Sequence, residues 1–335
     1  MRKVSQKATI LTTSIFLLLV IIIGVVIYRY SGTKTQYAEG EIWTTTYHIT
    51  YQSDRNLKDS VRVILNTIDN SISPFNKKSN ITKLNDNSST TIDNYFKILY
   101  QHSLEVNIAT AGAFDPTVSP LINAWGFGFK NGNMPDSTAI DSIKKFVGIK
   151  TTSIENGKLK KKDPRTTFNF SAIAKGMACD EIAKMLRRNG VKNYLVEIGG
   201  EIALDGNNPD GKEWTISIEE PSESNTGAIT TSAKIIQLSY GGLATSGNYK
   251  NFKIVDGKKV AHIINPATGY PEFSNLLSAT IIAKDCMTAD AYATAAMVLG
   301  VKTTQALLET HKELSGILIY ADDNGKLITW SSIEK

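Results

Sequence analysis

Strand-like and helix-like stretches succeed one another in this chain without the strand–helix–strand alternation that builds a parallel sheet, and that order limits the fold more than any motif. Residues 42–51 are dense in β-branched and aromatic side chains and read as a strand. Residues 57–71 place Val61, Ile64, Leu65 and Ile68 at helical spacing, and residues 92–111 repeat the pattern with Tyr95, Ile98, Leu99 and Val106. A short helix over 136–146, a strand near Ser153, a helix stopped by Asn189-Gly190 and a buried strand over 194–198 follow. Residues 201–260 hold strands at 214–219, 234–240 and 252–255; beyond them come a strand at 277–282, a helix at 288–300 and a hairpin of 317–320 with 327–330. The expected class is α+β, a single body of mixed sheets and helices. No internal repeat, G-x-G-x-x-G or Walker loop interrupts it.

A different kind of segment precedes that body. From Ala8 to Ile27 the chain is almost continuously apolar, after a basic start and before Tyr28-Arg-Tyr30, an aromatic and basic interface anchor without a small-residue cleavage site. Residues 1–30 read as an uncleaved single-pass membrane anchor, with a cleaved signal peptide as the other reading. Residues 31–41 read as a polar linker, and residues 42–335 as the body on the extracytoplasmic (periplasmic) side of the inner membrane. Charge supports this division. The first 34 residues contain Arg2, Lys3, Lys7, Arg29, Lys34 and no acid, which is the whole net charge of +5; of the totals of 37 basic and 32 acidic residues, 32 and 32 remain in the body. A neutral body without a basic stripe argues against a nucleic-acid partner. The two cysteines, Cys179 and Cys286, match no zinc or redox spacing; buried thiols are the default and a disulfide stays open.

Five stretches carry the chemistry. In Thr288-Ala-Asp-Ala-Tyr-Ala-Thr294 a carboxylate, Asp290, and a hydroxyl, Thr294, lie four residues apart and so share one helical face among small residues. That pair suits half of a Mg2+ site completed by water and phosphate, and equally a buried alanine-rich helix. Residues 113–128 combine an Asp-Pro turn with Trp, Phe and Gly, as in a loop shaped around a flat ligand. Phe170-Ser-Ala-Ile-Ala-Lys-Gly176 opens a helix with small residues and a cation, an arrangement that attracts phosphate; an ordinary N-cap at Ser171 with a solvated Lys175 is the alternative. Gly241-Gly-Leu-Ala-Thr-Ser-Gly-Asn248 reads as a glycine-flanked turn with two hydroxyls. Finally His262, one of four histidines, stands just before an Asn-Pro turn where a general base is plausible.

Taken in order, Thr45-Thr-Tyr-His-Ile49, Ala113-Phe-Asp-Pro-Thr-Val118, Ser171-Ala-Ile-Ala-Lys-Gly176, Glu197-Ile-Gly-Gly-Glu201, Ala244-Thr-Ser-Gly247, His262-Ile-Ile-Asn-Pro-Ala-Thr-Gly269 and Thr288-Ala-Asp-Ala-Tyr-Ala-Thr-Ala295 resemble the motif set of the ApbE family, from about residue 38 to 330. These are the FAD:protein FMN transferases, or flavin transferases. The resemblance implies FAD as substrate, Mg2+ as cofactor, and transfer of FMN through a phosphoester to a Thr or Ser of an acceptor flavoprotein, with AMP released. By position it implies Asp290, Thr294 and the Ala172 carbonyl as metal ligands and His262 as base. Trp43, Phe75, Ala113, Phe114, Asp115, Asn169, Lys175 and Ile264 fall on the FAD-contacting positions, Phe75 as a stacking aromatic. Extracytoplasmic flavoproteins such as subunits of ion-pumping redox complexes are the implied partners. The chain departs from the pattern at Asn169, where Asp is usual, at Trp43-Thr44, where Met-Gly is usual, and at Asn265, where Asp is frequent. FAD hydrolysis to FMN and AMP, and flavin binding without catalysis, are the competing readings.

Overall fold

Antiparallel pairing joins eight strands into one sheet, and the alternation of side chains lets that sheet bury both faces. In chain order the strands are β1 (Thr35–Ile42), β2 (Thr45–Gln52), β3 (Thr152–Glu155), β4 (Lys158–Lys161), β5 (Tyr194–Ile198), β6 (Glu201–Asp205) and β7 (Trp214–Glu219). They continue as β8 (Ser232–Leu238), β9 (Tyr240–Gly247), β10 (Phe252–Val255), β11 (Lys258–Ala261), β12 (Leu276–Ala283), β13 (Ser315–Ala321) and β14 (Leu327–Ser331). The large sheet runs β1-β2-β5-β6-β9-β12-β13-β14, and β3-β4, β7-β8 and β10-β11 form separate ribbons. The helices are α1 (Lys58–Ile72), α2 (Asn80–Asn85), α3 (Asn94–Ala109), α4 (Ser119–Ala124), α5 (Ser137–Lys144), α6 (Ala174–Arg188) and α7 (Cys286–Thr310). The computed structural model describes residues 18–22, 33–127, 135–221, 232–247, 252–255, 258–261, 263–272 and 274–333.

One face of the sheet lies under α6 and α7, which cover Tyr51, Tyr194, Val196, Ile198, Ala244 and Ile281. The other face carries Ile202, Leu204, Leu243, Ile317 and Ile319 under Trp214, Ile216, Ile218 and Ile236 of the β7-β8 ribbon. Adjacent residues Leu243 and Ala244 thus serve opposite cores, as a period of two requires. Small residues set the spacing. A Cβ on Gly242 would stand 2.2 Å from the Cys286 backbone nitrogen, so α7 starts directly against β9. Cys179 and Cys286 are buried free thiols in this contact.

The α+β expectation holds, with three local corrections. Most of the stretch expected as a linker is the edge strand β1, which pairs residue for residue with β2. Trp43 and Thr44 make the two-residue turn between them, with φ of 49° and 62°. Only Ala38 of β1 is buried, so the strand shows no apolar alternation to read. The supposed glycine turn at 241–248 is the central strand β9 as far as Gly247; Gly241 takes a φ of 115° at its start, and Gly242 serves close approach. Helix α7 continues past Gly300, whose φ of 73° kinks it. The expected membrane anchor lies almost wholly outside the described residues; 18–22 are helical and exposed. Among the described residues no helix is long and apolar enough to cross a membrane.

Candidate active site

Helix α6 begins without a side-chain cap, so the N–H groups of its first turn need partners from elsewhere. Asp290 of α7 supplies one: Gly176 N–H donates to Asp290 Oδ2 at 3.0 Å. Glycine makes the contact possible, because a Cβ on Gly176 would lie 2.4 Å from the Cys286 carbonyl oxygen. Beside it, Lys175 Nζ forms an ion pair with Glu201 Oε2 at 2.5 Å, at the start of β6. Asp180 of α6 reciprocates the cross-link. Its two oxygens accept the Cys286 and Met287 N–H groups at 2.9 and 2.8 Å and so cap α7. Two helices and a strand are thereby clamped around one lysine and two carboxylates.

Burial governs the charges there. It pushes the Asp290 carboxyl up from its ordinary range, against the pull of Lys175 and the Gly176 N–H. Glu201 is likewise raised by burial and by the charge of Asp290, with Lys175 opposing. For Lys175 burial favours the neutral amine, but attraction to Glu201 and Asp290 outweighs it and its pKa rises. With all three ionised the cluster carries a net negative charge and accommodates a further cation.

A cavity of about 760 Å3 opens on this cluster, and its lining includes Ala113, Phe114, Asp115, Asn169, Ala172, Lys175, Ile264, Asp290 and Thr294. Distant segments of the sequence thus converge on one space. Thr245 and Ser246 line it too; Thr294 Oγ1 stands 3.2 Å from Ser246 Oγ, and Thr245 Oγ1 lies 2.9 Å from Thr280 Oγ1 behind the wall. The Asp115 carboxylate holds its own loop: Oδ1 accepts the Thr117 N–H and hydroxyl, at 2.8 and 2.6 Å, and Oδ2 the Ile149 N–H at 3.0 Å. Its pKa is raised, because burial outweighs these bonds. Asn169 Oδ1 accepts both the N–H and the hydroxyl of Ser171, which fixes the approach to α6 without needing a charge. Ser171 is therefore no N-cap; the helix starts three residues later.

The sequence profile of the ApbE family matches residues 43–318. The chain belongs to the ApbE family. It is 33% identical to the FAD:protein FMN transferase of Vibrio cholerae over 88% of this chain and 90% of that protein. The Haemophilus influenzae enzyme of the same name is 33% identical, over 90% and 91% of the two chains. In three dimensions the fold is similar to the Vibrio cholerae flavin transferase ApbE, with a TM-score of 0.80 and 32% identity over 89% of this chain and 97% of that one. It is also similar to the apo flavinyl transferase ApbE of Pseudomonas stutzeri, with a TM-score of 0.80 and 29% identity over 90% and 96%.

Not every residue assigned by family position lies on the cavity. Trp43 and Phe75 are outside its lining. The Trp43 indole N–H donates to Asp69 Oδ1 at 3.0 Å, and Asp69 Oδ2 accepts from Asn76 Nδ2 at 2.8 Å, so Trp43 ties the β1-β2 turn to the segment that carries Phe75. Phe75 is 67% exposed. His262 lies outside the described residues, while its neighbours Ile263 and Ile264 line the cavity. Glu201 received no role from the sequence, although it closes the Glu197-Ile-Gly-Gly-Glu201 motif. A carboxylate directly after two glycines at a strand turn was its signal.

The donor set suits Mg2+. Asp290 and Thr294 are hard oxygen donors one helical turn apart, and Ala172 lines the same space. Among the described residues no cluster of three or more His, Cys, Asp or Glu is placed to hold a metal.

Proposed function

We propose that this ApbE-family protein is a transferase that moves FMN from FAD to a hydroxyl of an acceptor protein. The observation that carries the reading is the convergence of Lys175, Asp290, Thr294 and the 113–115 loop on one cavity of cofactor-accommodating size. The names of the relatives at 33% identity support the same activity. FAD is the substrate. The acceptor oxygen attacks the phosphorus of the FMN half, the phosphoanhydride bond breaks, and AMP departs with the electron pair. A phosphoester to Thr or Ser remains on the acceptor. The hydroxyl proton goes to a base, the role that the family motif gives to His262.

Lys175, at the first turn of α6, offers a cation to the diphosphate, while the aromatic and glycine-rich 113–127 stretch bounds the nucleotide. Asp290, Thr294 and the Ala172 carbonyl would hold Mg2+, which neutralises phosphate charge when bound. We further propose that residues 1–30 tether the body to the inner membrane. The acceptors would then be extracytoplasmic flavoproteins, subunits of ion-pumping redox complexes among them. The test is AMP release by the full-length protein from FAD and Mg2+, with and without an acceptor bearing a target Thr. Release that requires the acceptor supports transfer. Equal release without it means hydrolysis and refutes the proposal.

A further inference from the structure

One cavity wall is built differently from the rest. Ile263, Ile264 and Pro266 belong to a turn that folds back on itself: Asn265 N–H donates to Tyr270 O at 2.9 Å, Gly269 N–H to Asn265 O at 2.8 Å, and Glu272 N–H to Ile263 O at 2.9 Å. Asn265 Nδ2 closes its base on Glu272 Oε2 at 3.0 Å. None of these bonds reaches outside the turn. The turn docks on two apolar clusters: Ile263 packs against the core around Leu276, Met297 and Leu318, and Ile264 joins Leu121 and Ile140, flanked by Val118, Ile122 and Trp125. The Trp125 indole N–H donates to Gly269 O at 2.8 Å and so joins the turn to α4. The Trp125 and Tyr270 rings lie 5.6 Å apart at 58°. Gly269, with φ of 81°, must stay glycine in this dock, since a Cβ would meet Ile140 Cγ2 at 2.6 Å.

Trp125 itself does not line the cavity, but residues on both sides of its bond do: Val118 and Ile122 from the α4 side, Ile263, Ile264 and Pro266 from the turn. We infer that Trp125 is a positioning residue for FAD binding, whose N–H latches the 263–272 turn to α4 and so holds the Ile263–Pro266 wall against the nucleotide. The inference rests on the proposal that FAD occupies this cavity. The latch adds one directional bond to the apolar packing of the wall, a bond that Phe cannot make while keeping most of that packing.

The test uses the full-length protein and its Trp125→Phe variant, with FAD as probe in the presence of Mg2+. Flavin fluorescence gives the FAD dissociation constant, hydrogen exchange reports the Asn265, Gly269 and Glu272 amides, and thermal unfolding reports the fold. The expected result is a dissociation constant raised roughly five- to tenfold, the size of one lost buried hydrogen bond. Exchange should rise at the three turn amides and stay unchanged at Val196 and Ile198 of β5, with kcat at saturating FAD altered less than KM. If Trp125→Phe does not fold, Tyr270→Ala substitutes for it, because Tyr270 is 40% exposed; it removes the ring contact and should give a smaller loss of the same kind. Unchanged exchange in the turn, or raised exchange with unchanged FAD affinity, overturns the inference. Failure of the wild-type protein to bind FAD refutes the functional proposal instead, and the exchange result then still shows whether the latch exists.

Discussion

The two sides of the cavity are held by different physics. On one side, α6, α7 and β9 meet through backbone contact at Gly176 and Gly242 and through reciprocal carboxylate-to-N–H bonds from Asp290 and Asp180. On the other, a turn whose own hydrogen bonds close within it docks on two apolar clusters and on one indole N–H. In the proposed reaction the clamped side is where charge on the transferring phosphate would be met, and electrostatic help is worth most when its groups need not reorganise. The docked side bounds the ligand through Ile263, Ile264 and Pro266. Damage to the clamp should therefore abolish chemistry, while damage to the dock should weaken binding.

The largest effect expected is that of Asp290→Ala. Turnover with Mg2+ should fall by roughly 10^2–10^3-fold, the scale for losing a preorganised charge partner of the reacting group. The melting temperature should move little, since the substitution also relieves the burial of a carboxylate. A variant that keeps its activity would mean that the clamp is only structural. Gly176→Ala comes next: forcing a methyl into the Cys286 backbone should cost about 1–3 kcal/mol. Calorimetry would show this as a lower melting temperature, by roughly 2–4 °C for each kcal/mol. Glu201→Gln leaves Lys175 without its ion-pair partner and should raise the KM for FAD about tenfold, a change read by initial rates across FAD concentrations. An unchanged KM would remove Glu201 from the site.

The smallest effect is a slope. Burial pushes the Asp180 carboxyl up to about 7, from an ordinary 3.8. A carboxyl with a raised folded pKa binds its proton more tightly folded than unfolded. Its contribution is complete below pH 3.8 and is lost as pH climbs towards 7. Stability measured by urea unfolding should therefore decline across that window, and Asp180→Asn should flatten the decline. Equal slopes in the two proteins would show that Asp180 titrates normally and that this part of the clamp is open to water.

The sequence revealed composition and spacing better than it revealed proximity. Strands with apolar alternation, such as Trp214–Glu219, and helices with an apolar stripe, such as Lys58–Ile72, were readable because period alone determines them. Edge strand β1 was not, since one buried side chain leaves no period. Gly242 reads as a turn residue because a glycine needed for close approach looks, in one dimension, like one needed for chain reversal. The i, i+4 pair Asp290 and Thr294 was legible as a shared face. That Asp290 accepts from Gly176, 114 residues away, was not, and Glu201 became visible only when β6 brought it to Lys175.

The most direct test of the account is intact-mass spectrometry of an acceptor flavoprotein incubated with the full-length protein, FAD and Mg2+, in parallel with Asp290→Ala. The account predicts a mass gain of FMN less one water on the acceptor, matched by AMP, and lost in the variant. FAD consumed with no change in acceptor mass, or equal labelling by Asp290→Ala, would contradict it.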